Sequence, residues 1–119
     1  MILYRPVGEQ ELVLIIKSQY TAFPPRLPEQ PIFYPVLNAQ YAAEIAGRWN
    51  AKDKKSGYKG FVTRFKIDDD FISRYEVQTV GRSYHQEYWI PAEDLAEFNR
   101  HILGKIEVIA ATDHTFTDN

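Results

Sequence analysis

The chain has no cysteine. That excludes a disulfide framework, a thiolate zinc site and a cysteine nucleophile. No apolar run reaches the ~18 residues that a membrane-spanning helix needs. The first residues lack the charged-then-apolar layout of a signal peptide, so a soluble cytoplasmic protein is expected. Charge of one sign is also scarce. The formal net charge of −2 argues against a broad basic face for nucleic acid. Glycine-rich phosphate loops are missing, both the dinucleotide fingerprint and the P-loop pattern. No nucleophile elbow is present. The histidines, His85, His101 and His114, have no close metal-ligand spacing, so no metal site is expected.

What remains is a chain of 119 residues with 45% hydrophobic and 14% aromatic content. Such a chain buries roughly two thirds of its unfolded surface and forms a single core. One domain over residues 1–111 is expected, with a polar, frayed tail at 112–119.

Periodicity orders the elements. Residues 2–7 read as a short strand, and Pro6 limits its pairing to a sheet edge or a strand end. Residues 9–18 read as a helix with Leu12, Ile15 and Ile16 inward. Glu9 and Glu11 suit its positive N-terminal end and Lys17 its C-terminal end. Residues 22–35 hold five of the seven prolines, which excludes a helix interior or a central strand. Phe23, Leu27, Ile32, Phe33 and Tyr34 nevertheless give this stretch apolar anchors. It reads as a rigid pocket wall or as a structural connector. Asn38 suits the cap of a helix over 39–49. The inward stripe of that helix is Ala42, Ile45, Ala46 and Trp49.

Residues 50–60, with Lys52, Lys54 and Lys55, read as an exposed loop. Over 61–67, Phe61, Thr63, Phe65 and Ile67 share one face, and Arg64 and Lys66 the other. The run Asp68-Asp69-Asp70 lacks the alternating ligand spacing of a calcium loop. It reads as an acidic start to one helical turn. Residues 76–80 read as a short strand, 81–83 as a turn, and 84–90 as a further strand. On that last strand His85, Glu87 and Trp89 share one face. Pro91 reads as the first residue of a helix over 92–101, with Leu95 and Phe98 inward. Gly104 closes the connection to a final strand over 105–110. The pattern lacks regular βαβ alternation. It predicts an α+β domain with about three helices packed on a mostly antiparallel sheet.

Two residues can carry chemistry. Arg5 offers a planar fork of donors suited to phosphate or ribose oxygens. Glu87, on a strand among aromatics, can stabilise a developing oxocarbenium charge. The plainer alternatives are a surface ion pair for Arg5 and an exposed carboxylate paired with Arg82 or Arg64 for Glu87.

The layout resembles the ADP-ribosyltransferase-like superfamily. The resemblance rests on Tyr4-Arg5 ending the first strand. It also rests on Phe33-Tyr34 before Tyr41-Ala42-Ala43-Glu44-Ile45-Ala46, and on Glu87-Tyr88-Trp89-Ile90-Pro91. It spans about residues 3–110, nearly the whole chain. The chain is also similar to short bacterial proteins whose labels carry the words ADP-ribosylation and crystallin.

The resemblance implies NAD as the bound substrate, with Tyr4, Arg5, Phe33 and Tyr34 around it. Arg5 would hold a ribose or phosphate, Tyr34 would stack on nicotinamide, and Glu87 would be catalytic. Arg26, from its charge and loop setting, is a further candidate for the donor phosphates. The implied reaction releases nicotinamide and passes ADP-ribose to a protein, a nucleic acid or water. A catalytically silent nucleotide- or protein-binding domain of the same fold is the alternative. No Ser-Thr-Ser-like second motif is evident. His85 stands two residues before Glu87, where arginine-modifying members carry an acid.

Overall fold

A computed structural model describes residues 1–48 and 59–113. Trp49, the lysine-bearing stretch to residue 58 and the tail from His114 lie outside the described residues. The fold is α+β with antiparallel pairing throughout the described strands, as the element order predicts. Strands β1 (Ile2–Gly8), β3 (Lys59–Ile67) and β7 (Ile102–Asp113) form a sheet in the order β1-β3-β7. Strands β4 (Val77–Thr79) and β5 (Gln86–Tyr88) form a hairpin. Val36 joins the two, bridging Tyr4 on one side and Glu87 on the other. The two-residue strands β2 (Ile32–Phe33) and β6 (Ile90–Pro91) continue the Val36–Glu87 pairing in the same register. Residues 32–36 therefore form the central ribbon.

Helix α1 (Glu9–Lys17), the turn α3 (Asp69–Ile72) and helix α4 (Leu95–Arg100) cover one face of the sheet. Their core is a lattice of rings. Phe23 lies 5.1 Å from Phe33 and 5.0 Å from Phe65, and Phe98 lies 5.3 Å from Phe33. Tilted and edge-on ring pairs of this kind stabilise beyond their buried area. The proline-rich stretch is tied to this core. The Asn99 side chain pairs with both the N–H and the carbonyl of Phe23, at 3.0 and 2.9 Å.

Helix α2 (Ala39–Arg48) covers the opposite face. Ala42 and Ala46 are fully buried against Val36 and Val62. Asn38 caps the helix: its Oδ1 accepts the Tyr41 N–H at 2.7 Å. Its amide also donates to the Tyr84 carbonyl, so one side chain starts the helix and fixes it to the β4–β5 hairpin. Small residues let α2 approach closely. A Cβ on Gly60 would lie 2.5 Å from the Ala46 carbonyl oxygen.

Several boundaries differ from expectation, each for a local reason. Ile16 is 45% exposed, because α1 rests on the sheet through Ile15 and the flanking Leu12. Pro91 does not start a helix. It pairs with Ile32, and the next N–H, of Ala92, donates to Pro31 at 2.8 Å, which keeps the chain extended. A 3-10 turn, Ala92–Asp94, then precedes α4. Strand β7 begins before Gly104, whose φ of 78° falls where the β3–β7 register shifts. Lys59 and Gly60 belong to β3 rather than to the loop before it. The aspartate run starts a helix as expected, with Asp68 Oδ2 accepting the Phe71 N–H at 2.9 Å.

Gly60→Ala forces α2 away from β3 and should cost about 1–3 kcal/mol. Urea unfolding checks this: the midpoint falls with an unchanged slope.

Candidate functional site

The expected site residues divide between the two faces of the sheet. Alternation along β1 sends Leu3, Arg5 and Val7 toward α1 and the ring lattice, and Tyr4 toward α2. The bridges through Val36 put Tyr4, Val36 and Glu87 on one face, the α2 face. Arg5 and Glu87 thus lie on opposite sides of the sheet. The resemblance predicts them in one cleft.

The Arg5 face is closed by the protein itself. The guanidinium is 7% exposed. Its Nε and Nη2 donate to the two carboxylate oxygens of Glu11, at 2.7 and 2.9 Å. Its carbon sits 4.5 Å from the centroid of the Phe33 ring, which is fully buried. Its Nη1 donates to the Tyr34 carbonyl at 3.3 Å.

The last contact has a cause in the sequence. Tyr4 and Val36 exchange both backbone hydrogen bonds, at 2.9 and 2.8 Å. The next position along that ladder sets Pro6 opposite Tyr34, and proline has no N–H to give. The Arg5 side chain supplies the missing donor. One step further, Arg26 Nε donates to the Ile32 carbonyl at 3.2 Å. The carbonyls of Val36, Tyr34 and Ile32 are therefore met by a backbone amide and then by two guanidinium groups.

The Glu87 face is different. Glu87 is 8% exposed and, among the described residues, no Lys or Arg pairs with it. Arg64, one expected partner, pairs with Glu107. The Glu87 oxygens instead accept neutral donors, Tyr41 Oη at 2.8 Å and Trp89 Nε1 at 2.7 Å. Trp89 is half-exposed beside it. Burial, helped by the Glu87 hydrogen bond and charge, pushes the Tyr41 phenol up to about 12.

His85 joins this network through Tyr41, with the two rings stacked 4.6 Å apart. Its Nδ1 accepts the Arg82 N–H at 3.1 Å. A neutral ring therefore carries its proton on Nε2, which donates to Glu44 at 3.1 Å. Tyr84 also donates to Glu44, and that bond is the main reason the Glu44 carboxyl lies below its usual pKa. A side chain on Gly81 would strike His85 Nδ1, at 2.4 Å.

Glu87 and Tyr4 therefore share one face, while Arg5 and Phe33 are built into the other. Arg5 and Arg26 meet the Tyr34 and Ile32 carbonyls along the edge of the central ribbon, while the alternation that sends Phe33 to the Arg5 face sends the half-exposed Tyr34 ring, with Val36, to the Glu87 face. Sequence reasoning missed Glu11, Tyr41 and Glu44 as partners. For Glu11 a signal existed: an arginine alternating with Leu3 and Val7 on an apolar face needs a nearby carboxylate. For Tyr41 and Glu44 there was none, because a helix and a hairpin distant in sequence meet there.

Comparison of the chain with protein-family models, with curated proteins and with solved structures gave no match. Among the described residues no helix is long and apolar enough to cross a membrane.

Arg5→Ala leaves the Glu11 carboxylate and the Tyr34 carbonyl without their donor. A loss of about 3 kcal/mol in urea unfolding is expected. The Tyr41 phenol gives a second test. Its folded pKa is raised, so its contribution to stability is complete below pH 10 and is lost between 10 and about 12. Tyrosinate absorbance should show two phenols near 12, Tyr41 and Tyr75; Tyr41→Phe removes one of them and Glu87→Gln moves one downward.

Proposed function

We propose that this chain is an ADP-ribosyltransferase-like domain that binds a nucleotide of the NAD type without cleaving it, in the cytoplasm where NAD is available. One observation carries the silent reading. The Arg5 fork is closed on Glu11, on the sheet face opposite Glu87, which supports binding without cleavage. Binding is supported by the Glu87 face. A fixed carboxylate beside a half-exposed indole suits a ribose hydroxyl and a flat base.

A second reading, cleavage of the nicotinamide–ribose bond with transfer of ADP-ribose to a protein, a nucleic acid or water, is favoured by a different observation. Glu87 is a buried carboxylate that no cation among the described residues pairs with, and such a group is costly unless something makes use of its charge. Held by Tyr41 and Trp89, it would need little rearrangement to face a developing oxocarbenium ion.

Titration with NAD and with ADP-ribose, read by Trp89 fluorescence and calorimetry, tests both readings. Saturable binding that Trp89→Phe and Glu87→Gln weaken, with no nicotinamide released on long incubation, is the expected result. Nicotinamide release abolished by Glu87→Gln would replace the first reading with the second. Absence of binding by either ligand would end both.

A further inference from the structure

Pairing between the central ribbon and the segment that carries Glu87 brings two exposed rings together. Val36 stands opposite Glu87, Phe33 opposite Ile90, and Ile32 opposite Pro91. That register sets Tyr34 opposite Trp89. The Tyr88 N–H donates to the Pro35 carbonyl at 2.9 Å, and the Leu37 N–H to the Gln86 carbonyl at 3.0 Å. Tyr34 and Trp89 therefore stand between hydrogen-bonded pairs, where facing side chains of an antiparallel ladder lie closest. Alternation puts both rings on the Glu87 face. Tyr34 is 41% exposed and Trp89 45%.

A charge lies against this ring pair. Trp89 Nε1 donates to one Glu87 oxygen at 2.7 Å, and Tyr41 Oη donates to the other at 2.8 Å. Glu87 is more than nine-tenths buried, and among the described residues no Lys or Arg pairs with it. Water screens its charge poorly. An indole that donates to a carboxylate is polarised by it, and its ring face attracts a cation more strongly. Both Glu87 oxygens are already engaged, so the carboxylate offers an incoming N–H little. A cation that carries N–H groups would give up strong hydration without replacing it. A cation without them gives up far less.

We propose that Trp89 and Tyr34, with the Glu87 carboxylate bound to the indole, form a site for a small quaternary ammonium group. The ring faces and the carboxylate supply the attraction for its charge, and the rings meet its methyl groups as apolar surface. Backbone pairing on both sides of the ring pair holds the site in place before any ligand arrives. The site uses the face of the nucleotide reading without resting on it, because its ligand needs neither a ribose nor a phosphate.

Calorimetry with choline tests the proposal in the wild type, Glu87→Gln, Trp89→Leu and Tyr34→Leu. Two further probes separate the forces. Dimethylbutanol is the uncharged carbon analogue of choline, and ethanolamine keeps the charge but carries N–H groups. Glu87→Gln removes the charge and keeps an acceptor oxygen. Tyr34 is exposed, so Tyr34→Leu should keep the wild-type urea midpoint and reports on the rings even where another variant fails to fold. Saturable choline binding is expected, about fivefold weaker in each variant. Dimethylbutanol and ethanolamine should bind far more weakly than choline. Absence of choline binding, or binding that Tyr34→Leu and Glu87→Gln leave unchanged, overturns the site. So does either analogue bound as tightly as choline. NAD bound with no response to choline overturns the site and leaves the nucleotide reading standing. Choline bound as expected with no response to NAD or ADP-ribose keeps the site and removes the nucleotide reading.

Discussion

The structure depends on how the ribbon from Ile32 to Val36 is held between β1 and β5. Through Val36 this ribbon pairs with the three-stranded sheet on one side and with β5 of the hairpin on the other. On its β1 side the regular ladder stops after Tyr4, because Pro6 has no N–H. Two buried or half-buried carbonyls would then be left open, and each such group costs about as much as a lost hydrogen bond. Arg5 and Arg26 close them. A guanidinium brought into a core needs a counter-charge, and Glu11 supplies it from the first turn of α1. One proline thus accounts for two arginines, one glutamate and the docking of one helix.

That chain of dependence separates the two faces in purpose as well as in space. On the α1 side, charge closes a gap in the sheet, and the phenylalanine lattice surrounds it. On the α2 side, no Lys or Arg among the described residues pairs with Glu87. Tyr41 and Trp89 hold it with neutral hydrogen bonds, which orient a carboxylate without cancelling its charge. Asn38, as helix cap and as anchor of the hairpin, fixes the distance between Tyr41 and Glu87. The rigidity of this face comes from α2, whose alanines and the facing Gly60 let it lie close to the sheet.

Much of the fold was legible before any coordinates. The alternation of Phe61, Thr63, Phe65 and Ile67, the cap at Asn38 and the acidic turn at Asp68 are local patterns, and local physics decides them. The failures sit where a contact distant in sequence overrides a local preference. Pro91 is well suited to the first turn of a helix, yet pairing with Ile32 holds it extended. Ile16 continues an apolar stripe, yet α1 packs on the core through Ile15 and Leu12 and leaves Ile16 half-exposed. The site was legible by residue type and not by arrangement. Arg5 and Glu87 are both buried, as residues with a task tend to be. The parity that sends them to opposite faces depends on Val36 pairing with both strands. No periodicity within either strand contains that information.

The two faces also respond differently to the loss of a charge, which bears on what each can do. Neutralising Glu11 strands the buried Arg5 guanidinium, which no other carboxylate among the described residues pairs with. Neutralising Glu87 leaves Tyr41 and Trp89 donating to a neutral amide, and no charge is stranded. The Arg5 side is therefore a charge balance internal to the fold. The Glu87 side is a negative point held in place by neutral donors. Loss of a charge is therefore costly on the Arg5 side and leaves the hydrogen-bond donors satisfied on the Glu87 side.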